Sequence, residues 1–174
     1  MEKLLVLCGP PGCGKTTLIE KFLQLHQDFI FVDIFQFVKK YKDENGDLGL
    51  NGSLLAHQDM YNFLGSVDKN IILELGTNRA ELNFGNVARL SGKYKISVFF
   101  CRLDKEICIK RVLARQAADK TRNYPSLDYL AEKFKRGYPE KHTEIAQQLN
   151  LSFRQLDMSL PDKDLLDILE NILS

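Results

Sequence analysis

The stretch LLVLCGPPGCGKTT, residues 4–17, decides the fold of this 174-residue chain. It begins as a nearly continuous apolar run, Leu4–Cys8, typical of a strand buried on both faces of a parallel sheet. The next part, Gly9–Thr16, matches the pattern G-x-x-x-x-G-K-[ST] in full, and a periodic helical pattern follows it. A strand, a glycine-rich turn and a helix in this order predict a loop that holds nucleotide phosphates.

The residue types in this loop each have a chemical reason. The glycines let the backbone curl so that successive N–H groups point at phosphate oxygens, and the start of the helix adds a partial positive charge. We expect the Lys15 ammonium to bridge the β- and γ-phosphates and the Thr16 hydroxyl to ligate Mg²⁺. No NKxD-type stretch is present, which favours ATP over GTP. The predicted cofactors are therefore ATP and Mg²⁺, with the nucleotide contacted by Gly9, Pro10, Pro11, Gly12, Cys13, Gly14, Lys15, Thr16 and Thr17.

Outward from the loop, apolar runs and helical periodicities alternate along the chain. Four more runs predict strands, at Phe29–Val32, Ile71–Leu75, Ile96–Cys101 and Ser152–Leu156. Helices are predicted at Thr16–Leu25, Leu54–Leu64, Arg79–Leu90, Lys105–Gln116, Leu127–Lys135 and Leu165–Leu173. This alternation predicts an α/β fold in three layers, with a five-stranded parallel sheet and helices on both faces.

Two segments lack periodicity and are expected to be loops. Residues 39–52 are polar and contain glycine, and residues 117–125 separate two helical patterns. In an enzyme that must cover its substrate from water, such loops are candidate lids, and we place a lid around residues 115–125. The whole chain, 1–174, is expected to form a single domain.

Composition excludes several classes of function. The chain carries 24 basic and 23 acidic residues, a net charge of +1, which predicts neither a general nucleic-acid surface nor binding to an anionic membrane. No apolar run approaches the length of a membrane span, and the short Met-Glu-Lys lead leaves no room for a signal peptide. The four cysteines form no CxxC pair, which argues against a zinc site or a disulfide framework. A reduced, cytoplasmic protein is expected.

Two carboxylates stand where predicted strands end. Asp33 directly follows the second strand, at the edge where open α/β sheets bind ligands, and could take the proton of an attacking hydroxyl. The alternative is that Asp33 caps the next turn. Glu74 lies near the end of the third strand among apolar residues, so its charge needs a partner, either a Mg²⁺-bound water or Lys15. With Thr16 it forms the predicted metal site; the alternative is a contact with a helix or loop without metal.

The layout of these motifs resembles the P-loop kinases, in particular the small group that includes polynucleotide 5′-hydroxyl kinases, gluconate-type sugar kinases and zeta-toxin-like kinases. The resemblance implies transfer of the γ-phosphoryl group of MgATP to a hydroxyl, with Asp33 as base and Glu74 where the family more often has Asp. It also implies that Arg115 and Arg122, at the end of the helix after the fourth strand and in the lid, stabilise the transferring group. Lys15, Asp33, Arg115 and Arg122 are thus the predicted catalytic residues.

Several assignments stay open at this point. The acceptor is an unidentified hydroxyl compound, either a small molecule or a nucleoside or nucleic-acid end. Alternative functions are a nucleotide-binding ATPase or switch acting on a protein partner, and a toxin-type kinase. Asn78 is a candidate cap for the helix from Arg79, and Arg79 is an alternative contact for the acceptor. For Arg111 we expect an ordinary solvated basic face.

Overall fold

A computed structural model describes residues 1–119, 126–134 and 139–173. Its five strands form one parallel sheet in the order β2-β3-β1-β4-β5. The strand that precedes the glycine-rich loop is therefore central. This sheet confirms the predicted α/β fold class. The bounds of the strands are β1 Glu2–Cys8, β2 Phe29–Asp33, β3 Asn70–Leu75, β4 Tyr94–Arg102 and β5 Phe153–Asp157.

Helices cover both faces of the sheet and form two separate cores. On one face Leu4, Val6 and Cys8 of β1 pack in a cluster with residues of the third, fourth and seventh helices. On the other face Leu5 and Leu7 pack with residues of the first, fifth and eighth. Side chains alternate between the faces along β1, as the strand period of two requires. The bounds are α1 Lys15–Leu25, α2 Phe35–Val38, α3 Gly49–Ser66, α4 Ala80–Arg89, α5 Lys105–Ala118, α6 Leu127–Phe134, α7 Glu140–Gln148 and α8 Asp162–Leu173.

The loop expected over residues 39–52 is confirmed at residues 42–48 and was wrong at both ends. A 3₁₀ turn occupies Lys39–Tyr41, and α3 begins at Gly49 instead of Leu54. Asp59 on α3 explains part of this order, because it accepts hydrogen bonds from Tyr41 Oη at 2.5 Å and from Lys40 Nζ at 2.8 Å. Contacts between polar side chains give a sequence no apolar periodicity, so the order of this segment could not be predicted.

The short α7 had no counterpart in the prediction. Its sequence, EKHTEIAQQ, is mostly polar, and it is held by burial of His142, Ile145 and Ala146. Because His142 is a polar residue type, the sequence of α7 shows no complete apolar stripe from which a helix could be predicted. The predicted lid falls partly on α5, which continues through Ala118, and partly on residues 120–125, which lie outside the described residues. Within the described part of the chain, every helix is too short or too polar to cross a membrane.

Candidate functional site

The glycine-rich loop joins the end of β1 to the start of α1, and its backbone packs closely against α5. Gly12 and Gly14 have φ angles of 85° and 103°, in the left-handed region that favours glycine. A Cβ atom on Gly12 would overlap the backbone carbonyl of Cys108 on α5. The loop can therefore follow this path only with glycine at position 12.

Lys15, the first residue of α1, is folded back over this loop. Its side chain is buried, and Nζ donates hydrogen bonds to the carbonyl oxygens of Gly9 at 3.0 Å and Pro10 at 3.1 Å. Burial acts to lower the pKa of Lys15, but the neighbouring Cys13 and Glu74 outweigh it, so the pKa is raised. The side chain is thus held as an ammonium ion at the place where phosphates are expected.

Glu74 on β3 contacts two residues of the motif at once. Its Oε2 accepts a 2.8 Å hydrogen bond from the Thr16 hydroxyl, and its Oε1 lies 3.7 Å from Lys15 Nζ. A hydroxyl and a carboxylate at hydrogen-bond distance form the all-oxygen donor set that Mg²⁺ prefers, so these residues fit the predicted ion. Thr17, the last residue of the predicted nucleotide contact, is exposed on the first turn of α1.

Asp33 lies beside Glu74 at the carboxyl edge of the sheet. The two residues are partners in the parallel register of β2 and β3. Asp33 Oδ1 also accepts a 3.1 Å hydrogen bond from the backbone N–H of Gln36, which caps the short α2. The structure thus places Asp33 at the predicted edge and also gives it the capping contact that was the alternative.

The arginines of α5 are arranged differently from the expectation. Arg111 is exposed, yet its Nη1 lies 3.5 Å from the Gly12 carbonyl oxygen, so it reaches over the phosphate loop. Arg115 is exposed one turn later, and its Nε donates to the Arg111 carbonyl oxygen at 3.5 Å. Arg122 lies outside the described residues. The resemblance to P-loop kinases favours Arg115, whereas nothing in the spacing of the arginines shows which turn of α5 faces the loop.

The turn after β3 is held by a series of hydrogen bonds from buried polar side chains. Arg79 has a φ of 55° and occupies the N-cap position of α4 without a side-chain cap, so Asn78, the candidate cap, is not the capping residue. Instead Asn83 Nδ2 donates to the Asn78 carbonyl at 3.1 Å, and the Tyr61 hydroxyl donates to Asn83 Oδ1 at 2.9 Å. Tyr61 and Asn83 are both buried, so this turn has a rigid support.

A polar cavity of about 480 Å³ opens beside this turn. Lys141 and Glu81 form an ion pair of 2.7 Å at its wall. His142 is buried next to the rings of Phe84 and Phe100, and burial lowers its pKa to about 4, so the imidazole is neutral. The cavity is lined by Thr77, Asn78, Arg79, Ala80, Glu81, Tyr129, Lys141 and His142.

Comparison with known proteins supports one family. Residues 4–136 match the family model described as an AAA domain. No curated protein matches the chain in sequence. At low identity, solved structures share the fold over nearly the whole chain. A shikimate kinase from Bacteroides thetaiotaomicron is 17% identical, with a TM-score of 0.67 and 98% of each chain covered.

Two further solved structures show the same likeness. A gluconokinase from Sinorhizobium meliloti 1021 is 12% identical, with a TM-score of 0.64, and the match covers 98% of this chain and 91% of that one. A deoxyadenosine kinase from M. mycoides is 15% identical, with a TM-score of 0.59 and coverage of 98% and 97%. At these identities the likeness is one of fold.

Proposed function

Because this chain belongs to the AAA domain family and has the fold of the P-loop kinases, we propose that it is a kinase that transfers the γ-phosphoryl group of MgATP to a hydroxyl. The observation that carries this proposal is the contact of Glu74 with both Lys15 and Thr16, beside Asp33. A charged clamp for phosphates, an oxygen donor pair for Mg²⁺ and a proton acceptor then stand at one sheet edge. Phosphoryl transfer requires these parts.

Lys15 is the proposed phosphate clamp. Its hydrogen bonds to Gly9 and Pro10 are contacts with the loop's own carbonyl groups. A triphosphate would offer negatively charged oxygens in their place, which form stronger, charge-assisted hydrogen bonds. Binding of ATP therefore turns the lysine from the loop toward the β- and γ-phosphates.

Thr16 and Glu74 are the proposed holders of Mg²⁺. When bound, Mg²⁺ neutralises charge on the phosphate oxygens and fixes their orientation. Thr16 is the exposed member of the pair, so its hydroxyl is the one that faces the nucleotide, and Glu74 stands behind it on the sheet. The carboxylate also compensates the buried charge of Lys15 when no nucleotide is bound.

Asp33 is the proposed proton acceptor, and the cavity along Thr77–Glu81 is the proposed place of the hydroxyl compound. Ligands of open α/β sheets bind beyond the carboxyl ends of the strands, which is where both lie. The cavity is polar, which suits an acceptor rich in hydrogen-bonding groups. The ring of Tyr61 is buried in the core, so it is not available to stack a base.

Arginines that follow β4 in the sequence complete the proposed site. Arg115 and Arg122 remain the proposed partners of the transferring phosphoryl group, and the geometry adds Arg111 beside the loop. A guanidinium stabilises charge that develops on the equatorial oxygens as the phosphoryl group moves. A cytoplasmic location, where ATP is present and thiols stay reduced, is part of the proposal.

The test is turnover of [γ-³²P]ATP with a panel of nucleosides, oligonucleotide 5′ ends, sugars, sugar acids and antibiotics. We expect a radiolabelled product with one class of hydroxyl compound and none with the Lys15→Ala variant. Lys21→Ala is the matched control, because Lys21 lies on the same helix and pairs on the surface with Asp162. If ATP is hydrolysed without transfer of label to any acceptor, and a protein partner accelerates this hydrolysis, the result would instead support the nucleotide-binding switch. A toxin-type kinase would share these residues and differ only in the acceptor that carries the label.

A further inference from the structure

All four cysteines of the chain gather around the phosphate loop. Cys8 ends β1, Cys13 lies within the loop, Cys101 lies near the end of β4 and Cys108 lies on α5. All are free thiols and all are buried. Cys13 belongs to the predicted nucleotide contact through the backbone of the loop, but the proposed phosphoryl transfer uses none of the four thiol groups. Their common location therefore has no explanation in the chemistry proposed above.

Cys13 and Cys101 form the close pair within this group. Both side chains are fully buried. Both side chains approach Gly9: a Cβ there would lie 3.2 Å from Cys101 Cβ and 3.3 Å from Cys13 Sγ. The missing side chain of Gly9 therefore leaves a space that the Cys13 sulfur and the Cys101 Cβ border together.

Cys13 is also the member with nucleophilic surroundings. Lys15 Nζ lies 3.8 Å from Cys13 Sγ. The hydrogen bond from Cys101 lowers the pKa of Cys13, and the Lys15 ammonium acts in the same direction. The thiolate is the reactive form of cysteine, so Cys13 is the attacking sulfur and Cys101 the protonated partner.

The other two cysteines differ in both geometry and charge. Cys8 Sγ donates to the Phe99 carbonyl at 3.4 Å, and Cys108 Sγ to the Leu103 carbonyl at 3.9 Å. Burial raises the pKa of both, to about 12 for Cys108. They stay protonated and contact backbone, so they serve as internal controls for the pair.

We propose that Cys13 and Cys101 are a thiol oxidation site, at which a peroxide converts the two thiols to a reversible disulfide that ties the phosphate loop to β4. The Cys13 sulfur attacks one peroxide oxygen, the O–O bond breaks, and a sulfenic acid and one water form. The Cys101 sulfur then attacks the Cys13 sulfur, the S–O bond breaks, and the hydroxide leaves with the Cys101 proton as a second water. The two thiols lose two electrons, and the peroxide gains them.

Such a bond would act on the part of the loop that holds phosphates. Cys13 stands between Gly12 and Gly14, so fixing its sulfur to β4 removes the freedom of the loop to adjust around a triphosphate. It also replaces the sulfur that contacts Lys15 with a neutral disulfide. Weaker ATP binding follows, and by linkage a bound nucleotide must oppose the oxidation. Both sulfurs are buried, so the reaction requires a local fluctuation of the nucleotide-free loop that admits the peroxide.

The consequence for ATP rests on the proposed function, whereas the pairing of the thiols does not. Nucleotide-free full-length protein is treated with hydrogen peroxide, digested without reduction and mapped by mass spectrometry. ATP affinity is then measured by calorimetry for reduced, oxidised and dithiothreitol-treated protein. We expect a Cys13–Cys101 linked peptide, about tenfold or more weaker ATP binding, recovery on reduction, and slower linkage in the presence of a non-hydrolysable ATP analogue.

Two variants make the test specific. Cys101→Ser should bind ATP as the reduced protein does but show no reversible loss, and Cys108→Ser should behave like the unaltered chain. A missing linked peptide, a link to Cys8 or Cys108, or an oxidised protein with unchanged ATP affinity would each overturn the inference. If Cys101→Ser does not fold, the peptide map of the unaltered chain still decides the pairing. Failure of the reduced protein to bind ATP would instead count against the proposed function.

Discussion

The Thr16 hydroxyl donates a 2.8 Å hydrogen bond to Glu74, and the other oxygen of the same carboxylate lies 3.7 Å from the Lys15 ammonium. A residue of β3 is thereby connected to two consecutive residues of α1. An unpaired charge in this partly buried position would be costly, and Lys15 supplies the partner. The charges of the site are therefore compensated before a nucleotide binds.

Glu74→Gln should weaken Mg²⁺-dependent ATP binding and preserve the fold. The amide oxygen can still accept from Thr16, but the negative charge toward Lys15 and the metal is lost. We expect the apparent Mg²⁺ affinity to fall about 10–100-fold. Titration of Mg²⁺ at fixed ATP measures it. Glu81→Gln, a change of the same kind on α4, is the control, and equal Mg²⁺ dependence in both variants would remove Glu74 from the metal site.

Lys15→Ala should abolish transfer and sharply weaken triphosphate binding. The side chain is buried against the loop carbonyls and is the cation nearest Glu74 among those described. Its loss removes the phosphate clamp and leaves that carboxylate without its partner. Calorimetric titration with ATP, and with Lys21→Ala in parallel, checks the result. Unchanged affinity and turnover would contradict the nucleotide assignment itself.

Asp33→Asn should separate catalysis from structure. The asparagine oxygen can still accept the Gln36 N–H, so the cap of α2 is kept, but the residue can no longer take a proton. We expect transfer to fall by about 10²–10⁴-fold with nearly unaltered ATP affinity. Single-turnover kinetics with the true acceptor measure the effect. Transfer within a few-fold of the unaltered enzyme would leave Asp33 as a structural cap.

The two arginines of α5 should differ in the step they affect. Arg111 already touches the phosphate loop, so Arg111→Ala should raise the ATP dissociation constant. Arg115→Ala should lower kcat by about 10²-fold with a smaller change in ATP affinity, as expected for a donor that meets charge only in the transition state. Steady-state kinetics alongside direct nucleotide binding separate the two. Unaltered kcat in Arg115→Ala would weaken the kinase proposal in favour of a switch.

His142 should make the fold sensitive to acid. Burial lowers its pKa from 6.5 to about 4, so the unfolded chain binds this proton at a higher pH than the folded chain does. The free energy of unfolding should therefore decrease as the pH falls from 6.5 toward 4, by at most about 1.4 kcal/mol per pH unit. Urea unfolding at several pH values measures the slope. His142→Phe, which can pack against Phe84 and Phe100, should flatten it, and an equal slope in both proteins would contradict this origin.

The sequence was sufficient for the parts of the fold that depend on periodicity. The strand, loop and helix around Gly9–Thr16 and the four other strands follow from apolar runs, and their observed bounds differ from the predicted ones by a few residues. The placement of Asp33 and Glu74 at one sheet edge also follows, because the carboxyl ends of parallel strands meet there.

What the sequence did not reveal depends on contacts between distant residues. Asp59 orders the segment around Tyr41 through polar contacts, which leave no periodic pattern. The cavity wall combines the turn after β3 with α7, and only the folded chain brings them together. The proximity of Cys13 and Cys101 likewise involves residues that are far apart in sequence, and the spacing of the cysteines does not predict it.

The register of β2 against β3 sets the span between the proposed proton acceptor and the metal site. Asp33 and Glu74 are neighbours through backbone hydrogen bonds alone, so their separation does not depend on the side chains of the cavity. The residues along Thr77–Glu81, supported from below by Tyr61 and Asn83, can then be exchanged while that span stays constant. Redesign of the acceptor preference should therefore begin with the residues of the cavity, because the backbone pairing of β2 with β3 keeps the separation of the two carboxylates constant.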